Sequence, residues 1–355
     1  MPAAILASLT SLVALGTGAP AQVPWYAPPT VAVETRHVTF AHGDATLSGT
    51  LYAPNVAYKV PAIVVLHGAS EPLASTPLYK HLREDLPRIG VAVLVFDRRG
   101  SGASSGKADV PYQTLADDGI AGARALRALP QIDSHRVGYW GISQGGWLAT
   151  MATLRDPQAA FAVAVSAPLV TAETQMEFAM SNRLNVLGYS RSDVADMMDA
   201  RRELDGYFAG TNDRAAAVAA LQRIENKPWF DLMYLPRASA VAKNPADSTW
   251  RTQMDVDFFA AVGRVNVPIL FILGDRDPWI PVSATVRQLQ TLRASHPWLD
   301  YVVVPNANHL MMTPAAHEQM NDATPAAIAT EKPDSTAYFM ILGDWLSRAA
   351  RTASP

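Results

Sequence analysis

The segment running from Arg136 to Thr150 carries Gly-x-Ser-x-Gly, from Gly141 to Gly145 with Ser143 at its centre, between an apolar run and a helix-forming run. A chain that leaves a strand and enters a helix within one residue must turn sharply. Its backbone segments then approach so closely that no Cβ atom fits on either side, which is why glycines flank the serine. Such a turn is the sequence form of a nucleophile elbow, and it pushes the Ser143 hydroxyl out of the sheet edge. At a helix start, free N–H groups and the positive dipole end also face any oxyanion that forms on a group attacked there. This feature demands a strand, a turn and a helix in that order, and it argues for chemistry as well as architecture.

The periodicity along the chain supplies the rest of that architecture. Strands are expected at 31–40, 46–52, 62–67, 91–97, 136–140, 161–166, 268–273 and 300–304. The first two alternate apolar and polar residues around His42-Gly43-Asp44 and form an exposed antiparallel hairpin. The later six are continuous apolar runs separated mostly by helical patterns, which indicates a parallel sheet covered on both faces. Helices are expected at 77–89, 113–129, 144–155, 282–295 and 335–351. Between the sixth and seventh strands, residues 168–264 hold amphipathic helical stretches and no strand pattern.

A serine nucleophile needs a base and an acid that orients the base. The strand at 268–273 ends in Gly274-Asp275-Arg276-Asp277-Pro278, and the strand at 300–304 ends in Pro305-Asn306-Ala307-Asn308-His309. Loops at the carboxyl ends of parallel strands share one rim of the sheet, so Ser143, Asp275 or Asp277, and His309 can converge there. The glycine-rich stretch after the strand at 91–97, Arg99-Gly100-Ser101-Gly102, lacks the Gly-x-Gly-x-x-Gly spacing of a dinucleotide loop and opens no helix, so it reads as a structural turn.

With Gly-x-Ser-x-Gly, the downstream carboxylates and His309 in place, the chain resembles the α/β-hydrolase superfamily from about Val31 onward. The likeness is to bacterial serine esterases and peptidase-like hydrolases. It implies an α/β fold with an eight-stranded, mostly parallel sheet, helices on both faces and a helical cap inserted after strand 6. Its acid usually heads an Asp-x-x-x-Pro turn, which matches Asp277 to Pro281, so Asp277 is preferred and Asp275 is assigned to shaping the turn. Its oxyanion loop often begins His-Gly, here His67-Gly68, and by resemblance the backbone N–H groups of Ala69 and Gln144 form the hole.

Composition agrees with a catalyst of small molecules. The 355 residues are 49% apolar and 17% charged with a formal net charge of −3, enough for a large core and without the basic footprint of a nucleic-acid partner. There is no cysteine, which removes disulfides, thiolate metal sites and a cysteine nucleophile. His317-Glu318 is followed by Asn321 where a zinc helix needs its second histidine, and His37, His42, His81, His135 and His296 read as surface or loop histidines. No metal or organic cofactor is expected. Residues 1–21 end in Ala19-Pro20-Ala21 after an apolar stretch and form the expected secretory signal peptide, which implies a secreted or periplasmic protein with no stable membrane insertion of the mature chain. The n-region has no Lys or Arg, so a retained cytoplasmic helix is the alternative.

The organisation expected is therefore signal peptide 1–21, hydrolase core 22–167, cap 168–264 and hydrolase core 265–355. In the cap, Met176, Phe178, Met180, Met197, Met198, Trp229, Phe230, Met233 and Tyr234 are candidates for an apolar pocket, with Trp229 and Phe230 favoured because Pro228 suggests a loop. The expected activity is ester cleavage through an acyl-enzyme on Ser143. A peptidase or amidase is the nearest rival, with Glu173, Glu177 or Glu203 as receptors for a substrate amine, and a binding protein without turnover is the alternative from another class.

Overall fold

Buried on nearly every residue, the central strands form a single layer with helices on both sides. The structure is a computed structural model that describes residues 31–313 and 332–352. The strands are β1 (Val33–His42), β2 (Ala45–Pro54), β3 (Val60–Leu66), β4 (Ala92–Phe96), β5 (Ile132–Ile142), β6 (Ala162–Val165), β7 (Ile269–Gly274) and β8 (Leu299–Val304). They form one eight-stranded sheet in the order β1-β2-β4-β3-β5-β6-β7-β8. β1 and β2 pair antiparallel, β2 joins β4 antiparallel, and all other pairings are parallel.

Because strand side chains alternate between faces, a doubly covered sheet feeds two cores. Ala62, Val64 and Leu66 of β3 face one of them, packed with α2 (Tyr112–Arg127), α3 (Gln144–Arg155) and α8 (Val282–Arg293). Ile63 and Val65 face the other, packed with α1 (Lys80–Asp85) and α9 (Thr336–Thr352). Burying each such aliphatic side chain stabilises the fold by about 1.5–3 kcal/mol.

Three departures from expectation have local causes. The helix expected at 77–89 is broken into a 3₁₀ turn at Pro77–Tyr79, α1, and a second 3₁₀ turn at Pro87–Ile89. Pro87 has no N–H to continue the ladder, and Gly90 at φ 91° ends it. β5 begins at Ile132, ahead of its apolar run, because Ile132 pairs with Val60 across a register shift that the polar residues at 133–136 conceal. His81 is buried, not on a surface loop: it packs edge-on to Trp140, and its Nε2 pairs with the Tyr338 hydroxyl at 2.9 Å. Burial pushes its pKa down to about 3, so it stays neutral.

Between β6 and β7 the chain forms α4 (Ala172–Val186), α5 (Arg191–Ala209), α6 (Arg214–Ile224), several 3₁₀ turns and α7 (Phe258–Val262), and no strand. These helices have their own apolar core around Met180, Met197, Leu221 and Trp229. Ser190 and Asp193 close a capping box at the start of α5. α7 docks on the sheet layer through Phe258, stacked on Trp147 of α3 at 4.4 Å between ring centroids. No described helix is long and apolar enough to cross a membrane. The expected signal peptide and the His317 segment lie outside the described residues.

Candidate active site

Ser143 caps α3 with φ 55° and ψ −123°, a conformation that L residues adopt only when the surroundings enforce it. Its N–H donates to the Val165 carbonyl at 2.8 Å, and its own carbonyl accepts from Gly146 N–H at 2.9 Å. A Cβ on Gly141 would lie 1.9 Å from the Gly145 carbonyl oxygen, and one on Gly145 would lie 2.1 Å from that of Leu66. Neither site admits any other residue, so the glycines are fixed by the contact between β5, β3 and α3.

The carboxyl ends of β7 and β8 bring the acid and base together. His309 Nδ1 donates to Asp277 Oδ2 at 2.8 Å, and Asp277 Oδ1 accepts from Trp279 N–H at 2.8 Å. The Asp277 side chain is fully shielded, and that of His309 keeps only 12% of its surface exposed. Asp275 points outward near Arg276 and does not meet the imidazole, so Asp277 is the partner the Asp-x-x-x-Pro pattern indicated. Asn308 holds the base loop by accepting from Leu310 and Met312 N–H groups, and Arg276 N–H donates to Ala307 O, tying the two loops to each other. The Ser166 hydroxyl donates to the His309 carbonyl at 2.7 Å. Because Ser166 follows the residue that accepts from Ser143 N–H, the elbow and the base loop are fastened to the same point of β6.

Burial lowers the His309 pKa, but the Asp277 charge and hydrogen bond, with a smaller contribution from Glu71, raise it further, so the net shift is above the usual 6.5.

The two N–H groups expected to form the hole lie in the loop after β3, at Ala69, and at the start of α3, at Gln144. The N–H groups of Ala69 and Gln144 donate to no other described group. Arg98 holds this loop from beneath: it donates to the carbonyls of His67 at 3.1 Å, Gly68 at 2.7 Å and Ala69 at 3.2 Å, and to Gln144 Oε1 at 3.0 Å. Turning those carbonyls toward a guanidinium turns the neighbouring N–H groups the other way. The turn of residues 97–106 is therefore structural as expected, yet its Arg98 sets the geometry of the loop. Glu71 is the second residue that sequence reasoning did not single out. It is buried, and a Cβ on Gly68 would meet its Oε2 at 2.3 Å. Burial raises its pKa, while His309, Arg98 and the Ser70 and Glu71 N–H groups favour its charged form. His67 itself is packed between Tyr79 and Phe96 and is held neutral by burial, with a pKa of about 3.

A strained serine between two obligatory glycines thus shares the carboxyl rim of the sheet with a buried Asp-His pair. A model of the Alpha/beta hydrolase family matches residues 63–323. The chain belongs to this family. Among curated proteins it is similar to a thiohydrolase of Arthrinium phaeospermum, 31% identical over 121 residues, which is 34% of this chain and 38% of the relative. The matched stretch thus spans well under half the length of that relative. Among solved structures it is similar to an esterase of Pyrococcus furiosus, with TM-score 0.55 and 18% identity over 91% of this chain and 93% of that one. It is also similar to a proline iminopeptidase of Mycobacterium smegmatis, with TM-score 0.52 and 18% identity over 90% of this chain and 100% of that one. At such identities these structures bear on the fold alone.

In this α/β-hydrolase the favoured pocket residues sit elsewhere than expected. Trp229 and Phe230 are 0% and 2% exposed, inside the core of the helical insertion. The chain does turn after Pro228, but the Trp229 indole N–H is spent on Asp193 at 3.0 Å and Arg237 covers the Phe230 ring, so neither faces a substrate. Met180, Met197 and Met233 are likewise core. Met176 and Tyr234 do line open space, a cavity of about 430 Å³ shared with Leu204, Phe208 and Trp250. The aromatic beside the chemistry is Trp279, within the acid turn itself: its ring centroid is 6.4 Å from His309 and 6.3 Å from Tyr234. α4 is fastened over this turn, with Gln175 donating to Trp279 O at 2.8 Å and Asn182 to Pro278 O at 2.9 Å. Its position inside Asp277–Pro281 was the available signal.

Proposed function

We propose that this chain is a serine hydrolase that cleaves carboxylic esters through an acyl-enzyme on Ser143. The observation that carries the reading is the buried Asp277–His309 hydrogen bond on the rim that also holds a serine at φ 55°. His309 takes the Ser143 proton as the hydroxyl attacks the acyl carbon, and the Ala69 and Gln144 N–H groups stabilise the oxyanion. The imidazolium then protonates the leaving alkoxide, the alcohol departs, and a water activated by His309 releases the acid. Residues 168–264 act as the cap, and the substrate is a small molecule whose apolar part fits beside Trp279, Tyr234 and Met176.

A fluorophosphonate probe tests the nucleophile. Labelling of the wild type and none of Ser143→Ala supports the reading; equal labelling of both, or of neither, overturns it. Substrate class is tested by comparing p-nitrophenyl acyl esters with aminoacyl anilides, and preference for anilides would favour a peptidase. The name of the thiohydrolase relative favours one second reading, a thioester in place of the oxygen ester. Faster turnover of acyl thioesters than of matched oxygen esters would select it. We further propose export with removal of residues 1–21: a mature N-terminus at Gln22 supports this, and an intact Met1 on exported protein overturns it.

A further inference from the structure

Arg183, in the last turn of α4, is an arginine without a counter-ion among the described residues. It is 3% exposed, and its Nε and Nη1 are sealed from solvent with no hydrogen-bond partner among the described residues. An unpaired guanidinium in the interior is strongly unfavourable, because the lost hydration is returned by no carboxylate. Of the ionisable groups described, Tyr234 alone acts on it, and no Asp or Glu does. Two other arginines of these helices are matched: the buried Arg201 donates to Asp205 at 2.6 Å, and the exposed Arg202 lies 3.5 Å from Glu177.

Position gives the anomaly a use. The guanidinium carbon lies 5.8 Å from the centre of the Trp279 ring, and that ring also meets His309 and Tyr234. Tyr234 is in turn part of the lining of the 430 Å³ cavity. Arg183 is thus separated from His309 by one indole, and from that cavity by the Trp279 and Tyr234 rings. Asn182, the preceding residue, fastens α4 to the acid turn through Pro278 O, so the guanidinium is held in register with the chemistry.

We propose that Arg183 is the anchor for a carboxylate on the substrate, so that the preferred esters carry an anionic group away from the scissile bond. The carboxylate supplies the two acceptors that the guanidinium fork lacks, and Trp279 covers the pair. The proposal rests on the esterase reading for its kinetic test and is independent of it for its binding test.

Two matched pairs of substrates locate the charge: p-nitrophenyl hemiglutarate against p-nitrophenyl valerate for an acyl-side carboxylate, and 4-acetoxybenzoate against phenyl acetate for a leaving-group carboxylate. The expected result is a preference for the charged member of one pair, seen mainly in KM. Arg183→Met should collapse that ratio by about 10- to 100-fold, the worth of a charge-assisted hydrogen bond or two. Arg183→Lys should retain part of it, and Arg202→Met should leave it intact. Monomethyl glutarate, for an acyl-side carboxylate, or 4-acetoxybenzoate, for a leaving-group one, should raise the Tm of Ser143→Ala but not that of Ser143→Ala with Arg183→Met, a readout that survives even if Ser143 is not the nucleophile. Equal handling of charged and neutral members of both pairs, a ratio unmoved by Arg183→Met, or no Tm shift with either carboxylate would overturn the proposal.

Discussion

The rim of the sheet and the helical insertion above it each hold many of the side chains that the sequence singled out, but they use them differently. On the rim, Ser143, Asp277 and His309 come from three loops and are bound by specific polar contacts: the Asp277–His309 bond at 2.8 Å, and Ser166 holding the base loop at 2.7 Å. In the insertion, Trp229, Phe230, Met180 and Met197 do what apolar side chains do by default and bury one another. The lesson is that polar residues at strand ends have few alternatives to a site, whereas large apolar residues in a helical segment have a core to join first.

Substitutions on each side break or sharpen that contrast. The largest effect belongs to the rim: Asp277→Asn should lower kcat by about 10⁴ by releasing the wrong imidazole tautomer, with Tm little changed. Asp275→Asn, on the exposed side of the same turn, should stay within about threefold, as surface changes do. Steady-state kinetics on the pair would reverse the assignment if Asp275 proved the costly one. Next is the insertion core, where Trp229→Ala should destabilise by about 3–5 kcal/mol through the cavity it leaves, as read by denaturant unfolding. Its KM should move far less than that of Trp279→Ala, expected to rise about tenfold, which is a loss of about 1.4 kcal/mol of binding. The opposite ranking would return Trp229 to the pocket.

A smaller effect is expected at Arg98→Gln, which frees the carbonyls of His67, Gly68 and Ala69 and should lower kcat by about 10- to 100-fold, within the range for a disturbed oxyanion hole. If KM alone responds, the arginine positions substrate and not the loop. The smallest is a shift in pH dependence. An imidazole serves as a base only when neutral, and the pKa of His309 is raised, so on the proposed mechanism the acid limb of kcat/KM should lie above pH 6.5. The negative charge of Glu71 favours the imidazolium, so Glu71→Gln should move that limb to lower pH by less than about one unit. A limb that stays or moves upward would separate Glu71 from the base.

The strand pattern was legible because it is local: each of the eight expected strands overlaps an observed one, and the helix at 144–155 has the bounds of α3. The elbow was legible for the same reason, since a Cβ on Gly141 would meet the Gly145 carbonyl only four residues on, although Gly145 is also required by its contact with Leu66 of β3. Asp277 was distinguished from Asp275 by the turn that follows it. Arg98 and Glu71 were not legible as site residues, because a guanidinium beneath a loop and a carboxylate against Gly68 have no spacing that announces them, and Trp279 had only its place inside the acid turn as a signal. Trp229 was misjudged because a proline before an aromatic indicates a turn without indicating which way the ring faces.

By itself the sequence determined the order of strands and helices, the strained serine and the carboxylate and imidazole destined for the sheet's carboxyl rim, since these follow from short-range sterics and from alternation along the chain. Only the tertiary structure decided which apolar side chains of the insertion are interior, which arginine underpins the loop after β3 and which, Arg183, lies buried without a counter-ion among the described residues. Burial and pairing are properties of neighbours brought together by the fold, and no residue carries them alone.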